Sequence, residues 1–314
     1  MRQEGGAHEP AGGGVSRLVI IGSVALDSID GPAGKRDDIL GGSATYACVA
    51  ASFFARPELV ACVGKDFPAE ARRVLEERPI DLKGLATLGG PTFRWTGRYA
   101  PGFASRETLA LDLGVFKDFN PSLGKPLPPG SILFLGNIDP DLQLAVLDQA
   151  GPDAYVAADT IDHWIKAKGD ALVRGLKRTH LIFLNDEEAR LLTGEDNLIK
   201  AGAALRKMGP REAVIKKGEH GALLFTSAGV CAMPALPLES VNDPTGAGDS
   251  FAGAMLGFLA ASPARDDATL RAALARATVM ASFTVADFGV DRLRTLRSGE
   301  IDERLGRLRA LVRF

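Results

Sequence analysis

Residues 241–253 read Val-Asn-Asp-Pro-Thr-Gly-Ala-Gly-Asp-Ser-Phe-Ala-Gly. Gly246 and Gly248 allow a tight turn in which the backbone approaches a ligand closely. After them, Phe251, Met255, Phe258 and Leu259 form one apolar stripe at helical spacing. Gly246, Ala247 and Gly248 are therefore expected at a helix N-terminus, where unpaired amides and the positive end of the dipole attract anions. Asp249 falls in the first turn of that helix. On its own it is a helix-capping carboxylate, but a cap does not require Gly-Ala-Gly immediately before it, nor Asp243 and Thr245 ahead of that. A carboxylate beside an anion cradle suits phosphoryl transfer: it can take the proton of an attacking hydroxyl while the amides hold the transferring oxygens.

The remaining chain has to position that segment. Apolar runs near 18–22, 59–63, 132–135, 155–158, 180–184, 213–216, 222–225 and 230–233 read as strands. Helices are expected near 43–55, 67–77, 140–150, 163–177, 186–193, 197–208, 247–261, 267–287 and 301–312. Strands alternating with helices predict a three-layer α/β fold around a mostly parallel sheet. Residues 91–113 break this rhythm with polar–apolar alternation around Ala100-Pro-Gly-Phe-Ala-Ser105, the pattern of a hairpin with one packed face. With an exposed loop or hairpin at 28–40, it is expected to form a small β-sheet lid. Residues 1–16, rich in Gly and without an apolar core, read as a disordered tail ahead of one domain spanning 17–314.

Composition excludes several classes. Lys and Arg number 37 and Asp and Glu 39, a net charge of −2. No overall field draws the chain to nucleic acid or anionic lipid, so a phosphate site has to be local. No window reaches the roughly 18–20 apolar residues of a membrane span. Three scattered cysteines, Cys48, Cys62 and Cys231, make no disulfide framework and suit a reducing cytoplasm. Four histidines never come together at metal-ligand spacing. The chain has no Gly-x-Gly-x-x-Gly after its first strand, no Gly-x-x-x-x-Gly-Lys-Ser/Thr and no Gly-x-Ser-x-Gly, which argues against a dehydrogenase, a P-loop enzyme and a serine hydrolase.

The segment Asp243-Pro-Thr-Gly-Ala-Gly-Asp249 resembles the C-terminal motif of the ribokinase-like (PfkB-type) carbohydrate kinases, with Pro244-Thr245 where that family usually has Thr-x. The resemblance extends from about residue 18 to 289. It implies Asp249 as catalytic base and Gly246, Ala247 and Gly248 as the anion hole. It implies that Asn185 and Glu188, in Asn185-Asp-Glu-Glu188, organise Mg2+ and the phosphates of ATP, largely through water. It further implies a nucleotide site bordered by Lys216, Gly218 and Gly221 in Lys216-Lys-Gly-Glu-His-Gly221, by Thr245, and by Thr278 and Ser282 on a small-residue helix. Without the resemblance these would be a helix charge cap, a hairpin turn and tight packing.

For the acceptor, the resemblance points to Asp27 after Gly22-Ser23 and to the di-glycine Gly41-Gly42. Many family members carry Asn four residues after the second glycine, where this chain has Tyr46; a phenol offers one hydroxyl or a ring face in place of an amide. Phe93, Trp95, Arg98 and Tyr99 give the expected lid an aromatic character, with Trp95 the candidate to cover the acceptor. Arg94, Arg98 and Arg106 read as solvated lid charges or as partners of an anionic acceptor. The resemblance also brings K+ beside the anion-hole loop and a homodimer through the lid. The reading is ATP-dependent phosphorylation of a small sugar. Its alternatives are a nucleoside kinase, which Tyr46 and the aromatic lid support, and a silent sugar or nucleotide sensor, against which the intact Asp249 and Gly246–Gly248 argue.

Overall fold

The structure, a computed structural model, describes residues 17–103 and 105–313. The expected tail, 1–16, lies outside the described residues. In chain order the strands are β1 (Leu18–Ile21), β2 (Ala25–Gly31), β3 (Gly34–Gly41), β4 (Pro57–Gly64), β5 (Asp81–Leu88), β6 (Phe93–Tyr99), β7 (Arg106–Asp112), β8 (Ile132–Leu135), β9 (Tyr155–Asp159), β10 (Leu181–Asn185), β11 (Glu212–Lys216), β12 (Ala222–Thr226) and β13 (Gly229–Met233). The helices are α1 (Ser43–Ala51), α2 (Ala69–Glu76), α3 (Pro140–Ala150), α4 (Asp162–Leu176), α5 (Asp186–Thr193), α6 (Leu198–Lys207), α7 (Ala247–Ala260), α8 (Asp267–Thr284), α9 (Asp291–Thr295) and α10 (Ser298–Leu311).

Nine strands form the main sheet in the order β13-β12-β11-β10-β9-β8-β1-β4-β5, parallel from β11 to β5. Alternation along β1 explains the layering. Leu18 and Ile20 point into one buried cluster with α1, α7 and α8, whereas Val19 and Ile21 point into a second with α3, α5 and α6. The chain leaves β1 outward to β4 and β5, then returns to β8 on the other side. The reversal falls between β1 and β8, and a crevice opens beyond the C-terminal ends of strands at such a switch point.

A separate four-stranded sheet, β3-β2-β6-β7, pairs β2 and β6 in parallel and the outer pairs antiparallel. Residues 30–39, left open in the sequence between loop and hairpin, are a hairpin. Two elements were not expected. β5 is a half-exposed edge strand with Gly84 inside it, so its apolar pattern is weak. α9 has five residues, too few for a periodic signal. Helix α1 ends at Ala51 rather than near 55, and α8 at Thr284 rather than 287. Among the described residues no helix is long and apolar enough to cross a membrane.

α1 and α7 meet almost backbone to backbone. A Cβ on Gly253 would stand 2.1 Å from Ala47 O, and one on Gly257 2.7 Å from Ala51 O. Glycine spaced four apart on one helix against alanine spaced four apart on the other gives this close approach.

Candidate functional site

Gly246 is the N-cap of α7, in the left-handed region at φ 73°. A side chain there is doubly excluded, because its Cβ would lie 2.3 Å from the Tyr46 ring. The approach to the helix is tied down from behind. Asp243 is buried; its Oδ1 accepts from the Thr245 amide at 2.9 Å and its Oδ2 from the Gly289 amide at 3.4 Å. Asn242 donates through Nδ2 to Ala286 O at 2.9 Å. The loop is thus fixed to the end of α8, and the first turn of α7 presents Gly248 and Asp249 to the crevice.

Asp249 is half-buried. Burial pushes its carboxyl from an ordinary 3.8 up to about 7, with Asp159 adding to the rise while Lys216, its own amide and Arg106 pull it back. Lys216, at the end of β11, lies beside the anion-cradle turn: a Cβ on Gly248 would be 2.9 Å from its Nζ. Its Nζ bonds Asp159 Oδ2 at 3.0 Å. Burial pulls the ammonium down, but Asp159, Glu188 and Asp249 outweigh it and hold it above the usual lysine value. Lys216 therefore stays charged beside Gly248.

Asn185 and Glu188 form a reciprocal cap on α5: the Glu188 amide donates to Asn185 Oδ1 at 2.7 Å, and the Asn185 amide to Glu188 Oε2 at 2.8 Å. Glu188 is buried, and burial, with Asp159, pushes its carboxyl up to about 7 against the pull of Lys216. Among the described residues no three His, Cys, Asp or Glu side chains converge into a metal cage. A carboxylate kept short of counter-charge, with one oxygen not used in capping, fits Mg2+, which brings water and phosphate oxygens as its other ligands.

At the small sheet, Asp27 of β2 is buried and lies over Gly41, where a Cβ would collide with its carboxylate. Burial raises its carboxyl to about 7; Asp243 and Asp249 add to this and the Gly42 amide opposes it. Gly42, at φ 95°, caps α1 and packs against Ser23 O. Trp95 is paired in register with Asp27 and shares its face of the small sheet; its Nε1 donates to Thr108 Oγ1 at 3.1 Å. Two positions further along that face, Tyr99 reaches Thr245, and Arg106 is paired opposite Tyr99.

Tyr46 has a placement the sequence did not give. It is 1% exposed, its ring forming a floor beneath Gly246, and its hydroxyl has no hydrogen-bond partner among the described residues. It lies under the site rather than on its wall. Thr278 and Ser282 are also buried, with hydroxyls bonded to their own helix at Leu274 O and Val279 O. Gly218 and Gly221 form the turn after Lys216, and a Cβ on Gly221 would strike Met233 O.

One residue at the crevice, Asp159, was absent from the sequence reading, and two, Tyr99 and Arg106, were read there only as lid residues. Asp159 is a buried carboxylate ending a parallel strand, a position that could have marked it. Tyr99 touches the anion-cradle loop. The charge of Arg106 reaches Asp249, Tyr99 and Asp162, whereas Arg94 pairs with Asp38 and Asp66, and Arg98 with Asp30. Two surface clefts, of about 480 Å³ beside Gly89 and Lys117 and about 430 Å³ beside Asp148 and His180, lie away from this crevice.

The profile of the pfkB family carbohydrate kinases matches residues 142–295. The chain is 31% identical over 254 residues to the cytidine kinase of Thermococcus kodakarensis, covering 77% of this chain and 87% of that one. Its fold resembles a Burkholderia thailandensis nucleoside kinase solved in complex with inosine (TM-score 0.76, 20% identity, 92% of this chain and 96% of that one). It also resembles a Vibrio cholerae fructokinase solved with fructose, ADP and calcium (TM-score 0.75, 20% identity, 93% and 99%).

Proposed function

Because the chain belongs to the pfkB family of carbohydrate kinases, we propose that it moves the γ-phosphoryl group of ATP onto a hydroxyl of a ribonucleoside, with Asp249 as the base. The transfer reading rests on one arrangement: a half-buried carboxylate with its acidity tuned to about 7, directly after a glycine-flanked helix N-terminus and beside a charged lysine. The nucleoside reading, the sequence's alternative to a free sugar, rests on the cytidine kinase relative. It draws further support from Trp95, which is paired in register with Asp27 and carries an aromatic ring of the kind that stacks on a base.

In this reading Asp27 and the backbone at Gly41-Gly42 orient the acceptor, Asp249 takes its proton, and the amides from Gly246 to Gly248 with Lys216 receive the phosphoryl oxygens. Asn185 and Glu188 would hold Mg2+, which would supply neutralisation of the charge on the phosphates of ATP. The small sheet acts as a lid, with Tyr99 and Arg106 over the reacting centre, excluding water that would compete as acceptor. Lys216, Gly218, Gly221 and Thr245 border the nucleotide; Thr278 and Ser282 contribute only close packing there, because their hydroxyls are engaged. Two copies pair through the small sheet.

The test is a coupled ADP-release assay with MgATP against cytidine, other ribonucleosides, ribose, fructose and sugar phosphates, with Asp249→Ala as the blank. Turnover with a ribonucleoside is expected. Turnover with free sugars alone moves the reading to a sugar kinase. ATP binding without turnover on any compound moves it to a sensor.

A further inference from the structure

Lys216 and Asp159 form an ion pair across β9 and β11. Their surroundings show that Asp159 is the fixed member. Its Oδ1 accepts from the Thr160 amide at 2.8 Å, and its carbonyl oxygen accepts from Gln143 Nε2 at 3.1 Å. Gln143, itself buried, also donates to Gly136 O at 3.0 Å, so β8, β9 and α3 are tied at this point. Lys216 is the adjustable member, a compact charge with three donors on a flexible stem.

Three carboxylates act on that ammonium: Asp159, Glu188 and Asp249. Among the described residues, Asp159 is the one at hydrogen-bond distance, 3.0 Å. Of the other two, Glu188 acts on the ammonium more strongly, but its Oε2 is engaged by the Asn185 amide, whereas Asp249 shares the Gly248 turn with Lys216 and is the competitor that matters for the base. A lysine bonded to Asp249 would occupy the oxygen that has to accept the acceptor's proton. It would also leave the place where a phosphoryl oxygen arrives.

We propose that Asp159 is a positioning residue that holds Lys216 over Gly248, where the ammonium meets a phosphoryl oxygen, and off Asp249, whose carboxylate stays open to the acceptor hydroxyl. The inference rests on the reading of Asp249 as base. Asp159 touches neither reactant and acts entirely through Lys216. Removing it therefore matters only while Lys216 carries its charge.

This dependence is testable by a double-mutant cycle. The set is wild type, Asp159→Asn, Lys216→Met, the double variant, Asp159→Glu and Asp249→Asn, assayed by ADP release with MgATP and cytidine or whichever compound of the panel wild type turns over. Asp159→Asn is expected to lower kcat at least tenfold in the wild-type background and less than twofold in the Lys216→Met background. Asp159→Glu, which keeps the charge, is expected to restore part of the loss. The double variant removes both charges and strands neither, so it keeps the cycle readable where Asp159→Asn alone melts early. A crystal structure of Asp159→Asn gives a second readout independent of turnover, with Lys216 Nζ expected at hydrogen-bond distance from Asp249. Equal losses in both backgrounds, a wild-type-like Asp159→Asn, or a Lys216 still clear of Asp249 in that crystal would each overturn the proposal. Asp249→Asn separates the two readings. If it stays active, the base assignment itself fails. If it is inert while the Asp159 losses are equal, only the positioning role fails.

Discussion

The phenol oxygen of Tyr99 lies 2.9 Å from the hydroxyl oxygen of Thr245, joining the small sheet to the loop that leads into α7. A neutral hydrogen bond of this kind contributes about 1 kcal/mol net. Tyr99→Phe keeps the ring and removes the bond. The expected result is a rise of roughly fivefold in acceptor KM and faster ATP hydrolysis without acceptor, with kcat for the acceptor little changed. If neither KM nor the uncoupled hydrolysis moves, the contact has no part in closure.

The raised carboxyls of Asp249 and Asp27 set a pH dependence. In the proposed reaction Asp249 has to be ionised as base and Asp27 as acceptor contact, and both are held up to about 7, so kcat/KM is expected to fall as pH drops below about 7. Stability runs the other way. Asp249 has a folded value above its ordinary 3.8, so its contribution favours folding fully below about pH 4 and is lost as pH rises through 7. Asp249→Asn should therefore melt above wild type at pH 8, by an amount that shrinks toward pH 5. A flat pH–rate profile between 5 and 8, or a variant that melts lower at pH 8, would contradict this assignment.

Glu188→Gln keeps an oxygen for the Asn185 amide but removes the charge. The Mg2+ concentration for half-maximal activity should rise several-fold, and because this carboxyl is also raised to about 7 by burial, the variant should melt above wild type at pH 8. An identical magnesium titration takes Glu188 out of the metal role.

On the edge strand β7, Leu111 is 57% exposed and Leu109 41%. If copies pair through the small sheet, Leu111→Asp should convert a dimer to a monomer in sedimentation while leaving the fold intact. A wild-type chain that is already monomeric at micromolar concentration rules the pairing out.

Much of this architecture was legible because its signals are local. The apolar run 132–135 is β8 to the residue, and 186–193 is α5, because burial on both faces and a capping box each leave a sequence signature. β5 and α9 were not, being an edge strand with diluted pattern and a helix of little more than one turn. In the site, Gly246–Gly248 and Asp249 could be read from spacing alone, since a glycine turn and a first-turn carboxylate are neighbours in sequence. Asp159 could not, nor could the reach of the lid residues Tyr99 and Arg106, because the contacts with Lys216, Thr245 and Asp249 form only after strands far apart in the chain have paired. Tyr46 illustrates a further limit: its spacing from Gly42 was visible, but not that its ring would be spent as a floor under Gly246.

The contact of Gly253 and Gly257 with Ala47 and Ala51 gives the two ends of the crevice a common mount. α1 starts at the di-glycine proposed to face the acceptor, and α7 starts at the turn proposed to face the phosphate, so a shift of either helix would carry the other with it. At such close packing there is no slack for a hinge between donor and acceptor. In the proposed reaction, opening then falls to the small sheet, and so does change of substrate over evolutionary time: strands β2, β6 and β7 can vary their inward side chains without disturbing the packing of α1 on α7.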